Sequence, residues 1–301
     1  MNAAARRHRS AGSIALCAAA GLLGIGAPAD ARDRHTLWTV DGEQNTVYLL
    51  GSIHVLRAGD DGLPRVAEDA YEDAEQLVME IDLDDAFAGD AAALLGAMQR
   101  MALLPEEESL REVLGADYDT INARAREAGL DLALLDRFAP WFVAVTLLQL
   151  ELAKRGFSPE LGVEQGLAAR AVADGKPILG LETAEQQFAV LAGLPMPMQK
   201  QFLVMTLEDA AGLDAQIDEL MRAWRDGDSD ALARLLSEEF DEFPELYKPL
   251  TEDRNRAWLG QIVDLLDDRD DYLVVVGALH LVGRNSVVDL LRQRGYEVTQ
   301  Q

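Results

Sequence analysis

Thr46–His54 reads TVYLLGSIH, and more than two hundred residues later Tyr272–His280 reads YLVVVGALH. Each is an apolar run rich in Val and Leu, the pattern of a buried strand, and each ends in Gly-x-x-His. A glycine at the end of a buried strand lets the backbone turn sharply or approach something closely. The imidazole three residues on is then carried just past the strand's end. In open α/β sheets ligands sit at that end. His54 and His280 are two of only 4 histidines in the chain, and the others, His8 and His35, lie at or before the expected mature N-terminus.

Working outward, the first 31 residues differ in kind from the rest: Arg6, Arg7 and Arg9 give a basic start, 11–26 is small and apolar, and Ala29-Asp30-Ala31 has the A-x-A form of a cleavage site. This predicts a cleavable signal peptide over 1–31 and a periplasmic or secreted mature domain over 32–301. A membrane anchor is the poorer reading, because the run is short and rich in Ala and Gly. Cleavage removes Cys17, the only cysteine, so thiol catalysis and disulfides are excluded from the mature chain. Of 27 basic and 53 acidic residues, three and one fall in the leader, which leaves a net charge of −28. Such a field opposes nucleic acid and anionic lipid, and favours cationic partners and metal ions. A plain solvated acidic surface explains it as well.

Between the leader and the first Gly-x-x-His, HTLWTV (35–40) and a turn at 41–45 predict a β-hairpin. Pro64 then opens an amphipathic helix to about Glu75, and QLVMEIDL (76–83) reads as the next strand, a strand–helix–strand unit that favours a parallel pair. Alternation places Glu80 with Val78 and Asp82 on one face of that strand. A carboxylate in so apolar a strand needs a partner: a buried ion pair, backbone N–H groups or a metal. Residues 84–175 read as mostly helical, with a helix beginning at Ala86 and an all-round apolar one at 140–154, PWFVAVTLLQLELAK, which predicts a core helix. PILGL (177–181) is a third strand that runs out into Glu182, and Glu182 has the alternative role of accepting N–H bonds at the next helix start. Further helices fill 184–240. TEDRNRAWLGQIVDLL (251–266) predicts a helix capped by Thr251, with Arg254 and Asn255 in its first turn. After the second Gly-x-x-His come a short helix at 286–294 and a last strand at 296–298. The pattern is a mixed α/β fold with a mostly parallel central sheet. Two strand–GxxH–helix–strand units flank a large helical insertion over about 84–270.

At GSIH, LVMEIDL, GKPILGLET, EDRNRAW and VVVGALHLVG…LLRQRGYEV, in this order and spacing, the chain resembles the TraB/GumN family, which includes the Tiki metalloproteases and is thought to share a core with erythromycin esterase and ChaN-like proteins. The resemblance covers nearly all of the mature chain. It implies that Gly51, His54, Glu80, Glu182, Arg254, Asn255, Gly277 and His280 are the motif residues. Glu164, in GVEQGL, stands where the family more often has Asp.

The chemistry of these residues fits the resemblance. Two imidazoles and one or two carboxylates at neighbouring strand ends form a mixed N/O donor set suited to Zn, Mn or Co, and His54, Glu80 and His280 are the expected ligands. A metal of this kind lowers the pKa of its water and so supplies a nucleophile without Ser or Cys. Glu182 is then a fourth ligand or general base, and Arg254, beside Asn255, a holder of the substrate carbonyl or oxyanion. The function expected is a metal-dependent hydrolase acting on a peptide or small-molecule substrate. Two other readings use the same fold: a ChaN-like protein that holds haem or another ligand through the histidines, and a non-catalytic signalling protein.

Overall fold

The computed structural model describes residues 34–60, 63–81, 91–208, 213–240 and 244–301. The expected signal peptide, the expected strand end at Leu83 and the expected helix start at Ala86 lie outside them. Leu37–Asp41 (β1) and Thr46–Ser52 (β2) form the hairpin, antiparallel with Val40 opposite Val47. The other strands are Leu56–Arg57 (β3), Gln76–Ile81 (β4), Phe157–Ser158 (β5), Ile178–Glu182 (β6), Tyr272–Gly277 (β7) and Val298–Gln300 (β8). Six of them make one sheet in the order β6-β4-β7-β2-β1-β8, with β6, β4, β7 and β2 mutually parallel and β1 antiparallel to both its neighbours.

The sheet is mixed and mostly parallel, as its sequence pattern suggests, but its centre is organised differently. The strand–helix–strand unit through the helix Arg65–Asp73 does not join adjacent strands: β7 enters between β2 and β4. The two Gly-x-x-His strands are therefore immediate neighbours in the sheet. Their register sets Gly51 opposite Val276 and Ser52 opposite Gly277. On the far side of β7, Val275 stands opposite Met79, and Ile81 stands opposite Glu182 of β6. Because these four strands run the same way, both histidines, Glu80 and Glu182 all leave the sheet at one end.

Apolar burial explains why β7 takes the centre. All six of its residues are buried, with Val274, Val275 and Val276 wholly so, and Trp258 and Ile262 of the helix Asp253–Leu266 belong to the same apolar core. A second apolar cluster gathers around the helix Pro140–Lys154, where Trp141, Val143, Ala144 and Leu147 pack with Leu110, Tyr118, Leu132 and Leu203. The all-round apolar helix is thus a core helix, as its composition predicts. Among the described residues no helix is long and apolar enough to cross a membrane.

Two local differences from the sequence reading bear on the site. The short strands β3 and β5 pair antiparallel, Leu56 with Ser158 and Arg57 with Phe157, and so pin the chain beyond His54 to the loop before the helix Val163–Asp174. Thr251 is not a cap: Pro244–Tyr247, a π turn at Lys248–Glu252 and Asp253–Leu266 follow without a break. Pro249 lies in that π turn, where its missing N–H interrupts the ordinary ladder and a wider turn accommodates the ring. Arg254 and Asn255 consequently sit inside a helical run, facing inward. The final strand is Val298–Gln300, shifted beyond the expected 296–298 by its pairing with Trp38–Val40.

Leu49 of β2 is fully buried against this core. Leu49→Ala is expected to lower unfolding stability by about 2–5 kcal/mol in urea titration, the range for a buried Leu truncated in a packed interior.

Candidate functional site

The end of the sheet is crowded enough that side-chain size decides who can stand there. A Cβ added to Gly277 would lie 3.2 Å from His54 Nε2 and 3.3 Å from Glu80 Oε1, and one on Gly51 would lie 3.2 Å from the Ala278 backbone. Gly277 has an ordinary φ of −51°, so clearance and not backbone freedom is what the glycine supplies. Gly162 serves the same end, since a Cβ there would collide with the His54 carbonyl.

At the middle of the cluster lies Arg254, only 12% exposed, between two equally buried carboxylates. Its Nη2 donates to Glu80 Oε2 at 2.6 Å and to Glu182 Oε1 at 2.5 Å, and its Nε donates to both Glu182 oxygens at 3.1 and 3.2 Å. Nη1 lies 3.1 Å from His280 Nε2 and 3.3 Å from the Leu250 carbonyl oxygen. The guanidinium also stacks 4.6 Å from the Trp258 ring. The expected role of Arg254 at a substrate oxyanion is therefore not what its donors do here. Each face of its fork is taken by protein acceptors, and what it holds is Glu80, Glu182 and His280.

Each carboxylate has further partners. Glu80 Oε1 accepts the Gly277 N–H at 2.7 Å and Glu80 Oε2 accepts Gln187 Nε2 at 3.1 Å. Glu182 Oε2 accepts Trp258 Nε1 at 3.2 Å, while Thr183 and Gln186 cap the following helix themselves, so Glu182 is free of the helix-start role.

The two histidines are held alike from behind. His280 is buried, and its Nδ1 lies 2.6 Å from Asn255 Oδ1. Asn255 Nδ2 donates to the Asn285 carbonyl at 2.9 Å, which orients the amide and fixes the His280 proton on Nδ1, leaving a lone pair on Nε2. Asn285 has a φ of +59°, the one non-glycine positive φ among the described residues, and Asn tolerates it better than most side chains. His54 Nδ1 lies 2.7 Å from Glu164 Oε1, which also accepts the Ser52 hydroxyl, while 65% of the His54 side chain remains open to solvent. The longer side chain at Glu164 thus still reaches the histidine, and its Oε2 is buried without a partner. Ser52, Gln187, Trp258 and Asn285 belong to the site although the sequence reading passed over them. Ser52, beside Gly51, Trp258, at the end of EDRNRAW, and Asn285, after Gly283-Arg284, carried a local signal; Gln187 did not.

Proton affinities follow the geometry. The Glu164 carboxylate raises His54 to about 9 against partial desolvation. Burial lowers His280 to about 4, more than Glu80 restores. Burial works to raise Glu80, but the two imidazoles, Arg254 and the Gly277 N–H together outweigh it and hold the carboxyl at about 2. Arg254 is held firmly protonated: burial opposes its charge, and Glu80 and Glu182 more than offset that.

The donors fit a divalent ion in kind. Both imidazoles are backed by an oxygen acceptor at Nδ1 in the manner of metal-bound histidines, and His280 Nε2 lies 3.8 Å from Glu80 Oε1, but it takes Arg254 Nη1 at 3.1 Å, a contact that an ion would displace. In spacing they are not closed around one: among the described residues no three His, Cys, Asp or Glu side chains stand at metal-holding distance. Arg254 stands between them.

The sequence profile of the TraB/PrgY/gumN family matches residues 36–300. The chain is 27% identical over 270 residues to the uncharacterized protein YbaP of Escherichia coli, covering 87% of this chain and 95% of that one. It is 24% identical over 272 residues to an uncharacterized protein of Treponema pallidum, covering 85% and 80%. Against metalloprotease TIKI2 of Xenopus tropicalis the identity is 25% over 320 residues, covering 87% of this chain and 59% of TIKI2.

In protein stripped of metal, NMR titration is expected to show His280 neutral until about pH 4 and His54 protonated until about pH 9. Since His54 is raised above its ordinary 6.5, its ion pair with Glu164 stabilises the fold fully below that pH and is lost as pH rises through 9. Glu164→Gln should return the His54 midpoint toward its ordinary value; an unchanged midpoint would contradict the assignment.

Proposed function

Because the chain belongs to the TraB/PrgY/gumN family, we propose that it is a metal-dependent hydrolase of amide bonds, acting in the periplasm or after secretion. The observation that carries the reading is the matched support of two imidazoles from adjacent strand ends. His54 is held by Glu164 and His280 by Asn255, His280 Nε2 stands 3.8 Å from Glu80 Oε1, His54 Nε2 and Glu80 Oε1 both border Gly277, and the His54 side is open to solvent. The TIKI2 relatives bear the name metalloprotease, which supports the peptide class of substrate and the metal.

His54, His280 and Glu80 would hold the ion, which when bound supplies Lewis acidity and a water acidified toward neutrality. The chain's other groups set the conditions for it. With an ion bound, Glu164 and Asn255 would keep the imidazole protons on Nδ1, the ion replacing the second proton that His54 carries below about pH 9 in its absence. Arg254 balances Glu80 and Glu182 and keeps both carboxylates in place. The exposed face of His54 is where a substrate approaches, and burial of His280 and Glu80 excludes bulk water from the other side. Zn, Mn and Co all suit this donor set.

The test is metal content by mass spectrometry after loading with each ion, together with cleavage of a pool of quenched fluorescent peptides. About one ion per chain is expected to be retained, to be lost in both His54→Ala and His280→Ala, and to be required for cleavage. Retention of no ion, with peptide cleavage absent or unaffected by chelators, would overturn the reading.

A further inference from the structure

Beside the cluster lies a cavity of about 750 Å³, and Glu182, Arg254 and Trp258 form part of its wall. The remaining wall is mostly apolar, including Leu181, Val190, Leu194, Pro195, Met198 and Ala257. Its volume is that of a ligand site. His54, Glu80 and His280 do not line it: Arg254 faces the cavity on one side and bonds Glu80 and approaches His280 on the other.

The state of its polar groups decides what it can take. Arg254 and Glu182 are joined to each other, and Glu182 also takes Trp258 Nε1. Gln186 caps its own helix at Thr183, Gln261 donates to the Leu181 carbonyl oxygen at 2.9 Å, and Lys248 is paired with Asp253. Apart from Glu245, an exposed carboxylate of the wall, these groups already have partners within the protein, so a charged group placed here would be desolvated with little unengaged charge to meet it. The surface matches an uncharged, apolar occupant.

We propose that this cavity is the specificity pocket of the protein and receives a large apolar side chain, of the size of Leu or Phe, from a peptide whose backbone passes beside the Arg254–Glu182 wall. That the peptide is a substrate rests on the hydrolase reading; the pocket's preference does not. A side chain seated here places its peptide on the Arg254 side of the cluster, across the guanidinium from Glu80 and His280.

The test is calorimetric binding of blocked pentapeptides Ac-Ala-Ala-X-Ala-Ala-NH2, with X as Ala, Leu, Phe, Lys or Glu, to the purified protein and to its His54→Ala variant. The Leu and Phe peptides are expected to bind both proteins at least about tenfold more tightly than the Ala peptide, and the Lys and Glu peptides no more tightly than Ala. The double variant Ala257→Trp, Val190→Trp puts two indoles into the cavity and is expected to abolish the preference without changing circular dichroism; either change alone, expected to weaken it, serves should the double variant misfold. No dependence on X, equal binding of charged X, or a preference that persists in a folded cavity-filled variant would overturn the proposal. A preference present in both proteins without any peptide cleavage would uphold the pocket while the hydrolase reading fell.

Discussion

A guanidinium buried between two carboxylates is the constraint on which the site depends. Glu80 and Glu182 leave neighbouring parallel strands at the same end of the sheet, and two ionised carboxyls in that position repel one another and lose their water. Arg254 answers both, and its planar fork does so with directed bonds that a lysine would not reproduce. The π turn through Pro249 carries the helix into this position, so an irregularity in the backbone is tied to a requirement of charge.

The rest of the site is arranged around that pairing by clearance and by support from behind. Gly277 leaves the space that His54 Nε2 and Glu80 Oε1 border, and Gly162 lets the loop before the helix Val163–Asp174 close on the His54 carbonyl and deliver Glu164. The pairing of β3 with β5 fixes that loop from the other side. His280 is held through a longer chain, Asn285 to Asn255 to imidazole, so the proton position on a buried ring is set by a backbone carbonyl of a residue with positive φ. One histidine is thereby exposed and easily protonated, the other buried and neutral, although they come from the same strand design.

How much of this the sequence disclosed follows from which interactions are local. Alternation and apolar runs identify β2, β4 and β7, and the Gly-x-x-His spacing identifies both histidines, because period and strand-end position are written within ten residues. The need of Glu80 for a partner was also legible from its apolar neighbours, and the two non-metal partners foreseen, an ion pair and a backbone N–H, are both present. The entry of β7 between β2 and β4 was not legible, since strand order depends on which buried face packs best after nearly two hundred intervening residues. Nor was the inward aim of Arg254. A run such as TEDRN has the composition of an exposed helix start, and only the continuous path through the π turn removes that start. Gln187 joins the site from a helix that has nothing in its own sequence to mark it, and Trp258 follows Arg254 by one turn on the same helix.

The most direct measurement of the central claim compares the stability, by urea unfolding, of Arg254→Met with that of the triple variant Arg254→Met, Glu80→Gln, Glu182→Gln. If Arg254 exists to balance the two carboxylates, the single change costs about 3–5 kcal/mol, because it leaves two buried charges unpaired, and the triple variant regains most of that loss. Losses that simply add across the three positions, or an Arg254→Met protein as stable as the parent, would contradict the account.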